Sequence, residues 1–495
     1  MKAYAYWVLS LTVLCLGITT LKGQSVSLSL DETIRIAADS SLEAYRSRNV
    51  YLSGYWQYRT FRANRLPGLS LLTTPAEYFR DITRRYDSEA DRDIFRRQQS
   101  FYSGGSLSLS QNLDLTGGSF FVESSLAYFR YFGSDTYNQF NSIPIRIGYS
   151  QRTIGYNPFK WERLIEPLKF ERVKKELVYN VEAIAEQSTQ YFFNLAMAQA
   201  EYDLAKENVS ASDTLYRTGT LRQKIASISQ ADLLTLKLAA VNAQNALKNA
   251  EIALKRATFA LASYLSMDKN TVVRLRLPDR PAQVNIAPER ALAVARDNNP
   301  SFLEMKQQVL EAEQAVDKTK KEARSDISID ARVGFNQVAD NFRDVYHDPS
   351  QQQIVSLSVR IPILDWGVRK GKHNVARNNL DVVKISARQK AVGIEEDVLM
   401  TVSDFNIQQD LIASAEEALR LARMAYQENR QRFMIGKADI SSLSLALSRQ
   451  QEAQRNYISS LQNYWLSYYK IRKLTLYDFV ADGPLSELFG KQYGM

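Results

Sequence analysis

The stretch AAVNAQNALKNAEIALKRATFAL (239–261) places Ala239, Ala243, Ala246, Ala250, Ala253, Ala257 and Ala260 at a strict 4-3 spacing, with Leu247, Leu254 and Leu261 beside them at intervals of seven. A heptad of small residues lets a neighbouring helix approach closely, while the leucines fill the groove. The stretch lies inside residues 220–277, which contain neither glycine nor proline, and Gly219 separates this run from residues 168–218, which also contain neither. The second half repeats the plan: 372–435 has one glycine, Gly393, then Gly436 follows, and 437–482 has none. At ~1.5 Å per residue such runs predict helices of roughly 75–95 Å, against a usual ~11–12 residues. A compact domain has no use for that length; a tube or a long coiled coil does. Gly219 and Gly436 stand where one helix is expected to reverse into the next, since glycine accepts the positive φ that ends a helix. Glu166-Pro167 is expected to open the first long helix. Shorter helices are expected over Leu30–Ala63 and Phe302–Ala323.

Ahead of each helical pair the period changes to two. Leu107, Leu109, Leu113 and Leu115 alternate with serines, Asn112 and Asp114; Ile143, Ile145, Ile147 and Tyr149 alternate with Ser142, Arg146, Gly148 and Ser150. In the second half Ile327, Ile329, Ala331, Val333 and Phe335 alternate with Ser328, Asp330, Arg332, Gly334 and Asn336, and Val355 to Ile363 alternate with Ser356, Ser358 and Arg360. Strands with one apolar and one charged face suit a barrel with a wet lumen. The aromatic run Phe120–Phe132 resembles an interfacial girdle. The polar stretches Asp81–Gln99 and Asp340–Gln353 read as exposed loops. Two strands in the second half and two to four in the first are too few to close a barrel, and open edges are not viable in lipid. Closure therefore requires other copies, and three would supply about 12 to 18 strands.

Met1–Gly23 has the charged start and short apolar run of a secretory signal peptide. Cys15, the single cysteine, lies within it, and Thr12-Val13-Leu14 lacks the small residue that precedes a lipidated cysteine. A mature chain would then have no disulfide, thiolate metal site or cysteine nucleophile. The net charge of +9 falls to +7 without Lys2 and Lys22. The remaining basic residues are interspersed with acids along helices, which reads as solvated faces rather than as a nucleic-acid surface.

Several segments resemble the TolC family of outer-membrane efflux and secretion ducts. LSLDETIRIAADSSLEAYRSR (28–48) and IAPERALAVARDNNPSFLEMKQQ (286–308) are similar to its repeat-opening helices. LSLSQNLDLTGGSF (107–120), IPIRIGYSQRTIGYNPFKWE (143–162) and VSLSVRIPILDWGVRKGK (355–372) resemble its strand-to-helix passages. RQRFMIGKADISSLSLALSRQQEAQRNYISSLQNYWLSYYKIRKLTL (430–476) resembles its last helical hairpin. The resemblance implies a mainly α fold with an antiparallel β-barrel portion, in which long helical hairpins of a homotrimer form a tunnel continuous with a shared outer-membrane barrel. It implies two structural repeats. The expected organisation is a signal peptide (1–23), a first repeat (24–284, strands within about 68–151, hairpin 160–268), a second repeat (285–480, strands about 326–337 and 353–363, hairpin 367–476) and a tail (481–495). The implied partners are outer-membrane lipid, a periplasmic adaptor and an inner-membrane pump, and the implied location is the outer membrane with a periplasmic tunnel. Adaptors of the family dock at the tunnel tip, which maps onto Arg217, Gly219, Thr220, Arg432, Gly436 and Lys437. The family's best-known duct has acids six and nine positions after the second tip glycine. Here those positions are Ser442 and Leu445, and Asp439 is the nearest acid, so Asp439 and Ser442 are the candidate pore constriction.

No catalytic constellation emerges, and no enzyme activity, cofactor or metal is expected. His347 and His373 are the only histidines, and neither has a second ligand at metal spacing. Gly117-Gly118-Ser119 lacks the lysine of a phosphate loop. A coiled-coil envelope scaffold without a pore is the alternative reading, and it leaves the alternating strands and the signal peptide unexplained.

Overall fold

The computed structural model describes residues 25–487 except 90, 133–135, 153, 226–227, 269–270, 280–282, 324–325 and 362. The expected signal peptide lies outside the described residues, as does most of the expected tail. In chain order the elements are β1 (Ser25–Leu28), α1 (Leu30–Ser40), α2 (Leu42–Ala63), β2 (Gly68–Asp87), β3 (Arg92–Asn112), β4 (Ser119–Phe132), β5 (Tyr137–Gln151), α3 (Pro158–Lys224), α4 (Gln230–Tyr264), β6 (Val272–Leu275), α5 (Pro288–Asn298), α6 (Pro300–Glu322), β7 (Asp326–Ala339), β8 (Ser350–Arg360), α7 (Val368–Met434), α8 (Ile440–Thr475), and the two-residue strands β9 (Tyr477–Asp478) and β10 (Gly483–Pro484). Helices α3 and α7 each run 67 residues, ~100 Å at ~1.5 Å per residue.

The chain divides into two compact units. One comprises Met1–Tyr51, Lys174–Pro300 and Val392–Met495; the other comprises Leu52–Val173 and Ser301–Ala391. In the first, Phe192 and Phe193 of α3, Phe405 of α7 and Ile458, Leu461 and Tyr464 of α8 form a fully buried core. Strands β1 and β6 pair in parallel beside a second cluster around Leu195 and Leu261. The β9–β10 hairpin is tied in by charge: Arg472 donates to buried Glu182 at 2.8 Å and to Asp478 at 3.1 Å, and the Tyr468 hydroxyl donates to Asp478 at 3.0 Å. A buried carboxylate costs several kcal/mol unless paired in this way.

The second unit holds a six-stranded antiparallel sheet in the order β2-β3-β4-β5-β7-β8. Four strands thus come from the first half of the chain and two from the second. The register builds two chemically distinct faces. Leu69, Leu109, Val122, Ile147 and Val333 lie in one cross-strand row, and Ile329 with Leu357 and Ile327 with Val359 continue that face toward β8. The opposite face carries Ser108, Glu123, Arg146, Gly334 and Gln352 in one row and Ser150, Asp330 and Ser356 in another. Pro75 and Pro144, which cannot donate to a ladder, both sit at register shifts.

Several expectations change. The helix expected over Leu30–Ala63 is two helices, broken at Ser41, which is extended and accepts from the Ala44 amide through its hydroxyl at 3.2 Å. Glu166-Pro167 does not open α3. The helix starts behind Asn157, whose side chain accepts from the Lys160 amide at 3.2 Å, and Pro158 takes the first helical position while Pro167 lies inside. Asp81–Gln99 is no loop, because its residues pair from Asp81↔Gln98 to Asp87↔Arg92 as the outer part of the β2–β3 hairpin. The segment 340–353 holds a short 3-10 turn, Asp344–Tyr346, and the start of β8. Of the alanine seam, the line Ala243, Ala250 and Ala257 faces inward as expected, and the leucines beside it take the place of the other line. The inward stripe of α4 is Leu236, Ala240, Ala243, Leu247, Ala250, Leu254, Ala257 and Leu261, whereas Ala239 and Ala246 are exposed. Leucine fills a groove better than alanine, so the stripe that alternates the two wins.

Candidate functional site at the hairpin ends and the sheet

The two helical pairs reverse differently. At the α7–α8 junction Gly436 has φ +80°. Its amide donates to the Phe433 carbonyl at 3.0 Å, and the Lys437 amide donates to the Arg432 carbonyl at 2.8 Å. These two bonds make a Schellman termination, for which the left-handed glycine is required. Asp439 then caps α8, accepting from the Ser442 amide at 2.8 Å. The side chain and backbone of Ser442, both bonded to it, hold the Asp439 carboxyl below its ordinary range.

Gly219 does not play the matching part. Helix α3 continues through it to Lys224, and the reversal falls before Gln230. Gly219 is buried, and a Cβ there would lie 2.5 Å from Leu236 Cδ1 of α4. The glycine permits close helix approach instead of a turn. The turn chemistry is supplied by Ser229 and Asp232, which form a reciprocal capping box with bonds of 3.1 and 3.2 Å.

Both ends meet in one cluster. Leu236, Phe433 and Leu443 are buried there, with Leu215, Tyr216, Ile228, Tyr426, Ala438 and Ile440 packed around them. Arg222 reaches from the last turn of α3 to the Met434 carbonyl at 2.8 Å, and its guanidinium lies 5.5 Å from the Phe433 ring centroid. It therefore satisfies one of the carbonyls orphaned where α7 ends. Arg222 escaped the sequence reading because the turn was placed at Gly219; extending the helix to the Ser229 cap would have exposed it. Of the other predicted residues, Arg217, Arg432, Lys437, Asp439 and Ser442 are exposed. The Thr220 hydroxyl donates to the Tyr216 carbonyl at 2.9 Å.

In the sheet unit, the polar face holds a compact charge group that the sequence reading did not single out. Arg146 pairs with Glu123 and donates to Gln352 at 3.2 Å. Arg332 pairs with Asp330 at 2.5 Å and lies over Phe121 at 5.6 Å. On the other face the apolar side chains stand open: Leu69, Leu71, Val355 and Leu357 are between 63% and 80% exposed. A soluble sheet would bury that face. His373 Nδ1 lies 3.3 Å from the Thr319 hydroxyl, and among the described residues no group of His, Cys, Asp and Glu could hold a metal. Among the described residues no helix is long and apolar enough to cross a membrane.

Comparison with known proteins agrees with this geometry. No curated protein sequence matches the chain. The fold matches the Campylobacter jejuni CmeC outer membrane channel over 94% of this chain and 88% of that one, with TM-score 0.67 and 13% identity. It matches the outer-membrane channel OprN over 90% and 89%, with TM-score 0.64 and 13% identity. It also matches the Vibrio cholerae outer membrane protein VceC over 91% and 96%, with TM-score 0.60 and 14% identity. At such identities the likeness establishes the fold, while the outer membrane efflux protein family profile matches the sequence itself over residues 291–475. Residues 291–475 thus match the outer membrane efflux protein family, and the fold is similar to that of the outer-membrane channels CmeC and OprN.

Proposed function

We propose that the protein is the outer-membrane duct of a tripartite efflux pump or type I secretion system, a passive conduit without chemistry of its own. The observation that carries this reading is the open six-stranded sheet, with one continuous exposed apolar face and two edge strands, β2 and β8. Lipid tolerates no unpaired strand edge, and six strands are too few to enclose a lumen. Edge pairing between copies satisfies both constraints. Three copies of six strands give 18, within the porin-like range of about 16–18 strands that encloses an aqueous channel. The charged face around Arg146 and Arg332 then lines the lumen and the apolar face meets lipid. The long helical pairs, arranged as two repeats, extend on the periplasmic side as the tunnel.

The hairpin ends are the surface for a periplasmic adaptor, which links the duct to an inner-membrane pump. Arg217, Thr220, Arg432 and Lys437 supply contacts there, Gly219 and Gly436 shape the backbone, and Asp439 with Ser442 line the narrowing. Purification from the outer-membrane fraction tests the core of the proposal. A trimer that dissociates on heating and conducts ions in planar bilayers is expected; a soluble monomer without conductance would overturn it.

A further inference from the structure

Hairpin β2–β3 outruns its sheet. Pairing of β3 with β4 stops at Gln99↔Phe132, yet β2 and β3 continue together for seven more pairs, from Asp81↔Gln98 to Asp87↔Arg92. At ~3.3 Å per residue the overhang is ~23 Å. An isolated two-stranded ribbon is marginal in water, so one with an open apolar face calls for a covering surface.

The register shows which face is open and what lies on it. On β3 the odd-numbered residues continue the exposed apolar face of Leu109 and Leu107. Paired with them across the bulge on β2 are Tyr78, Arg80, Ile82, Arg84 and Tyr86. Going outward, this face changes character in ranks. Aliphatic residues end at two aromatic rows, Tyr128 with Phe140 and, two residues further out, Tyr78 with Phe101, and Phe140 lies edge-on to Phe342 at 5.9 Å. Leu109 to Phe101 is eight residue steps, ~27 Å along the strand at ~3.3–3.4 Å each, close to the ~25 Å apolar band of outer-membrane barrels. Arg130 lies opposite Phe101 in the outer aromatic row, Arg80 stands in the row beyond it, and Arg97 and Arg84 follow, with Ile82 (57%), Phe95 (72%) and Tyr86 (63%) exposed beside them.

Both faces of the ribbon carry arginine, but the acids are unevenly shared. Residues 81–93 contain Asp81, Asp87, Glu89, Asp91 and Asp93. Asp81 and Asp87 lie on the opposite face, Glu89 and Asp91 lie at the tip, and Asp93 alone shares the open face, paired with Arg84. The open face therefore carries Arg80, Arg84 and Arg97, with Arg130 of β4 beside them, against one acid, while the opposite face of the ribbon has Arg85, Arg92 and Arg96 against two. All four helix–strand junctions lie at the other end of the sheet.

We infer that this ribbon lies on the headgroup layer of the membrane leaflet remote from the helices and binds phosphorylated glycolipid there. Arg80, Arg84, Arg97 and Arg130 contact the phosphates, and Tyr86 and Phe95 pack on the sugar rings. Arginine forks match phosphate oxygens, aromatic rings with polar tips suit a layer half apolar and half wet, and cations just outside an apolar band meet anionic headgroups favourably. The inference rests on the outer-membrane reading proposed above.

The test uses the full-length protein in lipid nanodiscs, with Cys15→Ser and Glu89→Cys carrying an environment-sensitive fluorophore at the ribbon tip. Discs contain phosphatidylcholine alone or with added lipid A. Expected is a blue shift that saturates with lipid A and is absent without it. Arg80→Gln/Arg84→Gln/Arg97→Gln should weaken the response ~10-fold or more while trimer and ion conductance persist, and the matching Arg→Lys triple, which keeps the charge but not the fork, should restore only part of it. Insertion as a conducting trimer with no lipid A response, or an equal response to inorganic phosphate in phosphatidylcholine discs, overturns the ribbon assignment alone. Failure to insert as a trimer overturns the duct reading, and this inference with it.

Discussion

Two glycines at corresponding points of the sequence do different physical jobs, and substitution separates them. Gly436 is held at φ +80°, so Gly436→Val should cost roughly 1–2 kcal/mol or more from left-handed backbone strain, while Gly436→Asn should cost much less. Gly219 has no such strain, but its missing Cβ makes room for Leu236. Gly219→Val should cost about 1–3 kcal/mol through overpacking, and Asn there should give no relief. Urea unfolding with amide exchange at the helix ends reads both, and equal behaviour of the two Asn variants would refute the distinction. Asp439 adds a pH signature. Its bonds to Ser442 lower the folded carboxyl below its ordinary 3.8, so the cap is fully present above that value and is lost as pH falls through the lower folded one. Protection of the Ser442 and Leu443 amides should fall with acid over that window and lose this dependence in Asp439→Asn.

At the scale of elements, period and register did most of the work. Alternation of Ile327 to Phe335 with Ser328 to Asn336 was legible because one face is uniformly apolar. The outer ribbon was not legible: Arg84 and Arg97 share a face with Ile82 and Phe95, which erases the contrast that period-two reading needs. Half of the alanine seam on α4 gives way to leucine for a related reason. Alanine recurs on two adjacent lines, and only packing shows that the Leu236–Leu261 line faces inward. The two sheet faces make an opposed prediction. Leu126→Arg, opposite Gly105 at the middle of the apolar band, should destabilise the membrane-inserted protein by about 2–4 kcal/mol. Ser356→Arg, beside Asp330 on the other face, should be nearly neutral. The midpoint of the heat-induced trimer-to-monomer transition measures both, and equal losses would contradict the assignment of lipid and lumen.

At the scale of the whole molecule, the order of helix, strands and long helical pair was readable in each half, because each leaves a distinct periodicity, although the first half holds four sheet strands and the second two. What could not be read was the fine structure of the hairpin ends, where a few side chains decide the outcome and Arg222 links one helical pair to the other through a backbone carbonyl. That structure sharpens the test of the adaptor surface. The end at Gly436 is held by the Gly436 and Lys437 amides, the Asp439 cap and the cluster around Phe433. The side chains of Arg432 and Lys437 are exposed and take no part in those bonds. Reversing both charges, Arg432→Glu with Lys437→Glu, should therefore leave the fold, the trimer and its conductance unchanged. If these cations face an adaptor, the same change should weaken adaptor binding by about tenfold or more and steepen the loss at low ionic strength, since screening governs exposed charges. Binding to the purified adaptor, measured against salt with the intact trimer, decides it: unchanged affinity at low salt would remove both residues from the contact surface.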